Sequence, residues 1–234
     1  MRQVFLSWPW VHHEEPKEIR AIYEQYGRHA YIKKGTWLEN GGEDGVVYLL
    51  LKGLGAFFFE TGCGKQRVFS LILPGRAMAD MDGFSGQTVN VQDRMVRDSE
   101  VLWVKRTIFL EQVQRDPALV MLLARSLIAK QESNMEAMIA CYTLGSAQRL
   151  RVLLKVLLSA LQGSVVAGWN VLTLDLNNEE FAKVINTTRV TVSRIFALWC
   201  EEGLVRKSGR VVEVHSDLFA DVYDWLEPAT HVKV

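Results

Sequence analysis

Asn177-Asn178-Glu179-Glu180-Phe181-Ala182-Lys183-Val184-Ile185-Asn186-Thr187-Thr188-Arg189-Val190-Thr191-Val192-Ser193-Arg194-Ile195-Phe196-Ala197-Leu198-Trp199 is the stretch that decides how this chain folds. Asn177 with Glu180 three residues on is a capping-box start, with Asn in place of the usual Ser or Thr. A short helix follows over Glu179 to Ile185, with Phe181, Ala182 and Ile185 facing inward. Asn186 tolerates the left-handed backbone that a tight turn needs. Thr188 then caps a second helix, Arg189 to Glu201, whose buried stripe is Val192, Ile195, Phe196 and Trp199. Arg189, Val190, Ser193 and Arg194 fall off that stripe, near the N-terminal end of the helix.

Working outward, Leu204-Val205-Arg206, a turn at Lys207-Ser208-Gly209, and Arg210-Val211-Val212-Glu213-Val214 read as a hairpin. The sum is helix, turn, helix and wing. Between Lys183 and Arg210 stand six basic residues (Lys183, Arg189, Arg194, Arg206, Lys207, Arg210) and two acidic ones (Glu201, Glu202), so the segment is +4. Cations and hydroxyls suit phosphates, and a few side chains at a helix N-terminus suit base edges. The candidate DNA-contacting residues are therefore Thr188, Arg189, Val190, Thr191, Ser193 and Arg194 on the helix, with Lys207 and Ser208 on the wing. A winged helix that packs only against protein would leave Arg189 and Arg194 without a purpose.

Upstream, Ala147 to Leu161 reads as a helix burying Leu150, Leu153, Leu154, Leu157, Leu158 and Leu161, and Val171 to Leu174 as a strand. Leu144-Gly145-Ser146 marks a break before it. From Pro117, which follows Asp116, no Pro or Gly occurs until Gly145. Leu119, Leu122, Leu123, Leu127, Ile128, Met135, Met138, Ile139 and Tyr142 recur at three- and four-residue steps there, a helix of about seven turns. It carries more than one apolar stripe. A core helix against the preceding domain uses one, and a second copy of the same helix uses the rest, so a homodimer is expected.

Glycine divides the remainder: twelve of the seventeen glycines lie in Gly27 to Gly86, and none between Gln87 and Leu144. Val46 to Leu51, Ala56 to Phe59, Val68 to Leu73 and Val101 to Val104 are short apolar runs, the first three ending at glycine turns. Such runs predict an antiparallel sandwich or roll. The expected fold class is α+β: an N-terminal antiparallel β-roll over 1–115, a long dimerisation helix over 116–145, and a winged helix-turn-helix over 146–234.

The whole chain has 234 residues and is 49% hydrophobic and 23% charged, enough for a sizeable core. Lys+Arg 27 against Asp+Glu 27 excludes a protein-wide basic coat but not a local patch. Three cysteines, Cys63, Cys141 and Cys200, fit a reducing compartment better than a disulfide scaffold. The first fifteen residues hold no apolar run of signal-peptide type. The longest uncharged run, Val156 to Leu174, is broken by Gln162, Gly163, Ser164, Gly168 and Asn170, so no membrane span is expected. These readings point to a cytoplasmic protein. No nucleophile–base pair, metal-spaced His/Cys set or phosphate-binding glycine loop supports an enzyme, and no cofactor or metal is expected. A ligand-binding adaptor that no longer touches DNA is a third reading, which gel-shift titration on palindromic DNA separates from the others.

Asn178-Glu179-Glu180-Phe181-Ala182 with Thr187-Thr188-Arg189-Val190-Thr191-Val192-Ser193-Arg194-Ile195 resembles the helix-turn-helix of the CRP/FNR superfamily of bacterial transcription regulators. The order of roll, long helix and winged helix is similar too. The resemblance implies a homodimer with paired long helices, an effector held between roll and helix, a palindromic double-stranded DNA site, and RNA polymerase as a partner.

The cyclic-nucleotide members carry roughly Gly-Glu-Leu followed about ten residues later by an arginine. Here the matching stretch is Ala79-Asp80-Met81, with Val89-Asn90-Val91 where that arginine belongs. No Lys or Arg occurs from Ala77 to Asp93, so a cyclic phosphate would find no cation, unless a local insertion brings in Arg94. An iron–sulfur sensor lacks its thiolates, since no cysteine precedes Gly62. A haem sensor lacks histidines between His29 and His215, leaving only Cys63. Cys141 and Cys200 read as buried apolar thiols on helices, with redox switching as the alternative. What remains as an effector lining is Leu71, Met78, Asp80, Met81, Phe84, Val91 and Met95, with Asn134 and Met135 from the long helix. That lining suits an apolar or aromatic molecule, or it is simply core. A redox-responsive or ligand-independent regulator is the alternative.

Arg189-Val190-Thr191-Val192-Ser193-Arg194 is similar over five residues to the recognition helix of the halorespiration branch, whose effectors are chlorinated aromatics. The commonest family pattern has glutamate where Val190 stands. A valine there favours an A·T pair over the G·C pair that a carboxylate selects.

Overall fold

The computed structural model describes residues 4–38, 45–60, 62, 64, 66–85, 91–209, 211–220 and 222, with the side chains of 82, 85 and 91 excepted. Cys63, Val89, Asn90, Arg210 and the Val91 side chain therefore lie outside the described residues. The fold is α+β, and the chain packs as two compact units, one over 12–131 and one over 1–11 with 132–234.

In the first unit, α1 (Lys17–Tyr26) leads into β1 (Arg28–Ile32), β2 (Val46–Lys52), β3 (Gly55–Glu60), β4 (Gln66–Ile72) and β5 (Ala77–Met78). The short α2 (Asp80–Ser85) precedes β6 (Val91–Met95), β7 (Ser99–Lys105) and α3 (Arg106–Gln114). The strands form two antiparallel sheets, in the orders β1-β7-β2-β5 and β4-β3-β6. Period two along β2 fixes the core: Tyr48 and Leu50 face a cluster with Ile72, Met78, Met95 and Val101, shared by both sheets. Val47 and Leu49 face the other way, onto Ile19, Ile22 and Tyr23 of α1 and Phe109 and Val113 of α3. Between β2 and β3, Gly53 holds φ +106, and a Cβ there would meet the Ser99 Oγ at 2.3 Å and the Asp98 carbonyl at 2.7 Å.

The four strands expected from glycine spacing are present. Also present are β1, β5, β6, α1 and α3, which that reading lacked. Strand β6 reads Val-Gln-Asp-Arg-Met and gains its place from pairing with β3, a long-range contact that its own composition does not announce.

Helix α4 (Pro117–Thr143) lies within the 116–145 segment expected for it, and the Asp116 carboxylate accepts from the Ala118 N–H at 2.8 Å at its start. Its Leu123 is fully buried in the core of the first unit, with Leu119, Leu122 and Leu127 packed on the same cluster. Met121, Ile128, Met135, Met138 and Tyr142 are exposed. Four of these, 121, 128, 135 and 142, are seven residues apart and lie on one face.

The second unit holds α5 (Ser146–Gln162), β8 (Trp169–Leu172), α6 (Asn178–Val184), α7 (Arg189–Glu201), β9 (Val205–Ser208), β10 (Val211–His215) and a 3-10 turn at Ser216–Phe219. The sheet order is β8-β10-β9, all antiparallel. Strand β8 begins two residues before the expected strand. Lys207 and Ser208 are strand residues rather than turn residues, because Lys207 pairs with Val212 and Ser208 with Val211. In this unit the N-terminal segment is tied to α4: the Val4 and Phe5 N–H groups donate to Glu136 Oε1 at 2.6 and 2.5 Å, and Ser7 Oγ donates to Glu132 at 2.9 Å.

Candidate nucleic-acid interface

Helices α6 and α7 stand where local chemistry puts them. Asn177 Oδ1 accepts from the Glu180 N–H at 2.9 Å, and the Glu180 carboxylate accepts from the Asn177 N–H at 2.9 Å, which closes the capping box. Asn186 takes φ 51, turning the chain between the helices. The Thr188 hydroxyl accepts from the Thr191 N–H at 3.1 Å and fixes the first turn of α7. At the other end Gly203 takes φ 71, and the Leu204 N–H reaches back to the Trp199 carbonyl at 2.9 Å, a Schellman stop. Phe181 and Phe196 meet edge-on with centroids 5.5 Å apart, and Phe196 meets Trp199 likewise at 6.0 Å, so the two helices share one aromatic core.

With Val192, Phe196 and Trp199 buried, the opposite face of α7 is open. Arg189, Val190 and Arg194 are exposed on it, and Val190 is 57% exposed despite being apolar. Thr188 is exposed and Thr191 half-buried, their hydroxyls 2.8 Å apart. Ser193 is half-buried, and its Oγ accepts from Asn178 Nδ2 at 2.7 Å. On the wing, Ser208 is exposed, but the Lys207 ammonium bends inward. It donates to Asn178 Oδ1 and lies 4.6 Å from the centre of the Phe196 ring. Burial holds its pKa below the ordinary lysine value, with Cys200 opposing. Lys207, expected as a wing contact to DNA, thus also has an internal engagement. Asn178, which the sequence reading placed in the motif but not among the contacts, is the hub of that engagement. Beside it opens a cavity of 440 Å³ lined by Arg189, Lys207, Asn177, Asn178 and Glu179, with Leu176 and Gly209. Nearby, Arg206 lies 3.8 Å over the Trp169 ring, which anchors β9 to β8 across β10.

Residues 148–216 match the Crp-like helix-turn-helix domain. The Cyclic AMP receptor protein of Thermus thermophilus is 26% identical over 210 residues, covering 88% of this chain and 92% of that protein. Among solved structures, FixK2 from Bradyrhizobium japonicum superposes with a TM-score of 0.72 at 17% identity, covering 83% of this chain and 96% of that one. CprK in complex with OCPA superposes with a TM-score of 0.67 at 16% identity, covering 92% and 99%. Residues 148–216 thus carry a Crp-like helix-turn-helix domain, and along most of its length the chain is similar to CRP/FNR-type, DNA-binding transcription regulators. Its relatives are regulators and not enzymes. Among the described residues no helix is long and apolar enough to cross a membrane.

In the first unit and on α4, the residues expected to line an effector site are dispersed in role. Leu71 and Met78 are buried, and Met78 belongs to the core between the sheets together with Met95. Met81 is half-buried with its sulfur accepting from Gln131 Nε2 at 3.1 Å, while Phe84 is 43% exposed. Asn134 is buried and Met135 exposed, on the stretch of α4 that packs with the second unit.

Asp80 is not an open acid. Its Oδ2 lies 2.5 Å from Lys130 Nζ, and Glu15 Oε1 lies 2.5 Å from the same nitrogen. Glu15 also accepts from Ser126 Oγ at 2.7 Å and from the Ala77 N–H at 3.3 Å. Burial works against the Lys130 charge, yet the two carboxylates raise its pKa above the ordinary lysine value. The Tyr23 hydroxyl is buried with no hydrogen-bond partner among the described residues, and burial, Asp80 and Glu15 raise its pKa. The cation missing from the cassette thus arrives from α4, fifty positions along, and two acids share it. Arg94 is engaged elsewhere, 5.1 Å over Trp37 and 5.7 Å over Phe58, with Nη1 donating to Gln66 at 3.3 Å. The thiols also differ from expectation: Cys141 is half-buried and Cys200 exposed, because Cys200 follows Trp199 by one helical step and turns off the buried stripe.

Proposed function

We propose that this regulator works as a homodimer that reads a palindromic site with two copies of α7 and answers to a small apolar or aromatic effector. The observation that supports the dimer is the heptad of exposed apolar side chains on α4, with Met121, Ile128, Met135 and Tyr142 in one line and Met138 beside it. Such an exposed apolar seam is stabilised when it meets a copy of itself. The two-fold axis then sets two α7 helices on successive major grooves.

The division of labour follows: residues 1–115 sense, 116–145 pair, and 146–234 bind DNA. Thr188, Arg189, Val190, Thr191, Ser193 and Arg194 meet bases and phosphates, and Lys207 and Ser208 meet phosphate. Relatives named for cyclic AMP suggest a cyclic nucleotide, but the chemistry of the cassette argues against it. Asp80 and Glu15 together outweigh Lys130 in charge, and Arg94 is stacked on aromatics, so an incoming phosphate meets net negative charge. An apolar or aromatic effector suits the accessible apolar side chains Met81 and Phe84 better, in line with the Val-Thr-Val-Ser-Arg recognition helix of the halorespiration type. RNA polymerase is the protein partner, and the site of action is the cytoplasm, where the DNA is. Tryptophan fluorescence of the purified protein titrated with chlorinated aromatics and, separately, with cyclic AMP tests the effector. A saturable response to cyclic AMP alone would overturn it.

A further inference from the structure

The Asn178 side chain is a two-ended connector between three elements. It sits at the start of α6, its Oδ1 accepts from Lys207 on β9, and its Nδ2 donates to Ser193 on α7 at 2.7 Å. The orientation of this amide is forced by chemistry. An ammonium only donates, so the oxygen must face Lys207, and the nitrogen must then face Ser193. The Ser193 hydroxyl is thereby an acceptor toward Asn178, and its own proton is not used in that bond. The Lys207 ammonium uses one N–H on Asn178 and lies against the Phe196 ring, and no carboxylate pairs with it among the described residues. Lys207 lines the 440 Å³ cavity together with Arg189. The acid on that cavity wall, Glu179, stands 3.9 Å from Lys183 on its own helix.

We propose that Asn178 is a positioning residue of the DNA-reading surface, joining the wing lysine to the recognition-helix serine so that both present donors to the duplex as one preset unit. The inference rests on the DNA-binding reading above. The wing and α7 then cannot meet DNA independently: a backbone phosphate seated between Lys207 and Arg189 fixes the wing, and through Asn178 it fixes the Ser193 hydroxyl. Preorganisation of this kind lowers the ordering cost on binding.

The test is a set of double-mutant cycles on the full chain, with binding to a selected duplex measured across a salt series and melting measured without DNA. Asn178→Ala should weaken binding about tenfold and lower the salt slope by about one, as Lys207 loses its hold. Combined with Ser193→Ala or Lys207→Met, it should cost clearly less than the product of the single losses. Asn178→Asp keeps both contacts but turns the Ser193 proton inward. It should melt no lower than the unmodified chain yet bind more weakly than Asn178→Ala, and Ser193→Ala should shrink that gap. Unchanged affinity and slope for Asn178→Ala, strict additivity in both cycles, or Asn178→Asp binding as well as the unmodified protein would each overturn the proposal. Failure of the unmodified protein to hold any duplex would overturn the DNA reading first, and it would be seen before any variant is made.

Discussion

Lys130 Nζ lies 2.5 Å from Asp80 Oδ2 with both side chains almost wholly buried, and Glu15 stands at the same distance from the same nitrogen. The triad links the coil before α1, the start of α2 and the middle of α4. One cation shared by two acids leaves little room for a further anion at this point of the fold. Its energetic character is also asymmetric, because a buried charge is tolerated only while its counter-charge is present.

Lys130→Met should therefore destabilise the chain strongly, by about 3–5 kcal/mol, since two carboxylates are left buried without a cation. Asp80→Asn should cost less, because Glu15 still neutralises the ammonium. The triple variant Lys130→Met, Glu15→Gln, Asp80→Asn should recover much of the loss. Urea unfolding of the four proteins checks the order, and a Lys130→Met protein as stable as the unmodified one would contradict it.

Glu136 gives the pH dependence. Its Oε1 accepts the Val4 and Phe5 N–H groups, while Oε2 is buried with no partner among the described residues. Burial raises its pKa, the two N–H bonds oppose this, and Glu132 adds to the rise. A carboxyl whose pKa is raised by folding contributes stability that is full below its unfolded value, about 4.3, and is lost as pH rises through the folded value. Glu136→Gln removes that loss. Its melting temperature should exceed that of the unmodified chain at neutral pH, with the gain fading as pH falls toward 4. A gain that is constant with pH would rule out titration of Glu136 as the cause.

Arg194 stands exposed one turn beyond Val190 on the open face of α7. If it pairs with a base, Arg194→Ala should cost about 1–3 kcal/mol of specific binding and relax preference at one position. Ser208→Ala, on the wing, should weaken all sequences alike. Gel-shift titrations against matched and scrambled duplexes separate the two outcomes.

The exposed heptad on α4 predicts a dimer before DNA is added. Met135→Glu with Met138→Glu places charge in the seam and should yield a folded monomer. Sedimentation at micromolar concentration reads this directly. An unmodified protein that sediments as a monomer would remove the seam from the account.

Much of the DNA-binding half was legible because its signals are local. Asn177 and Glu180 are three apart, Asn186 turns its own backbone, and Thr188 caps the helix it precedes, so no distant partner is needed to decode them. The roll was legible only where glycine bounds an apolar strand; β1 and β6 owe their place to pairing with β7 and β3. The triad was not legible, since Glu15 and Lys130 are far apart in sequence and a lysine in an apolar helix gives no sign of its acid. On α4 the apolar residues occupy most of the circumference, so periodicity alone could not tell buried Leu123 from exposed Ile128. The inward bend of Lys207 was not legible, because a residue read as part of a turn is ordinarily solvated, whereas here the Phe196 ring and Asn178 draw the ammonium inward.

Val190 is apolar, 57% exposed and near the N-terminal end of α7, where a base-reading side chain would stand. Its methyls suit the thymine C5-methyl, and it offers no acceptor to the cytosine amine. The deciding measurement is a binding selection from random duplexes with the unmodified protein and with Val190→Glu. The account predicts an inverted repeat whose half-sites lie about one helical turn apart, closer to TTAAT than to TTGAT, with the variant shifting to G·C at that position. A selection that returns no inverted repeat, or G·C at that position for the unmodified protein, would contradict it.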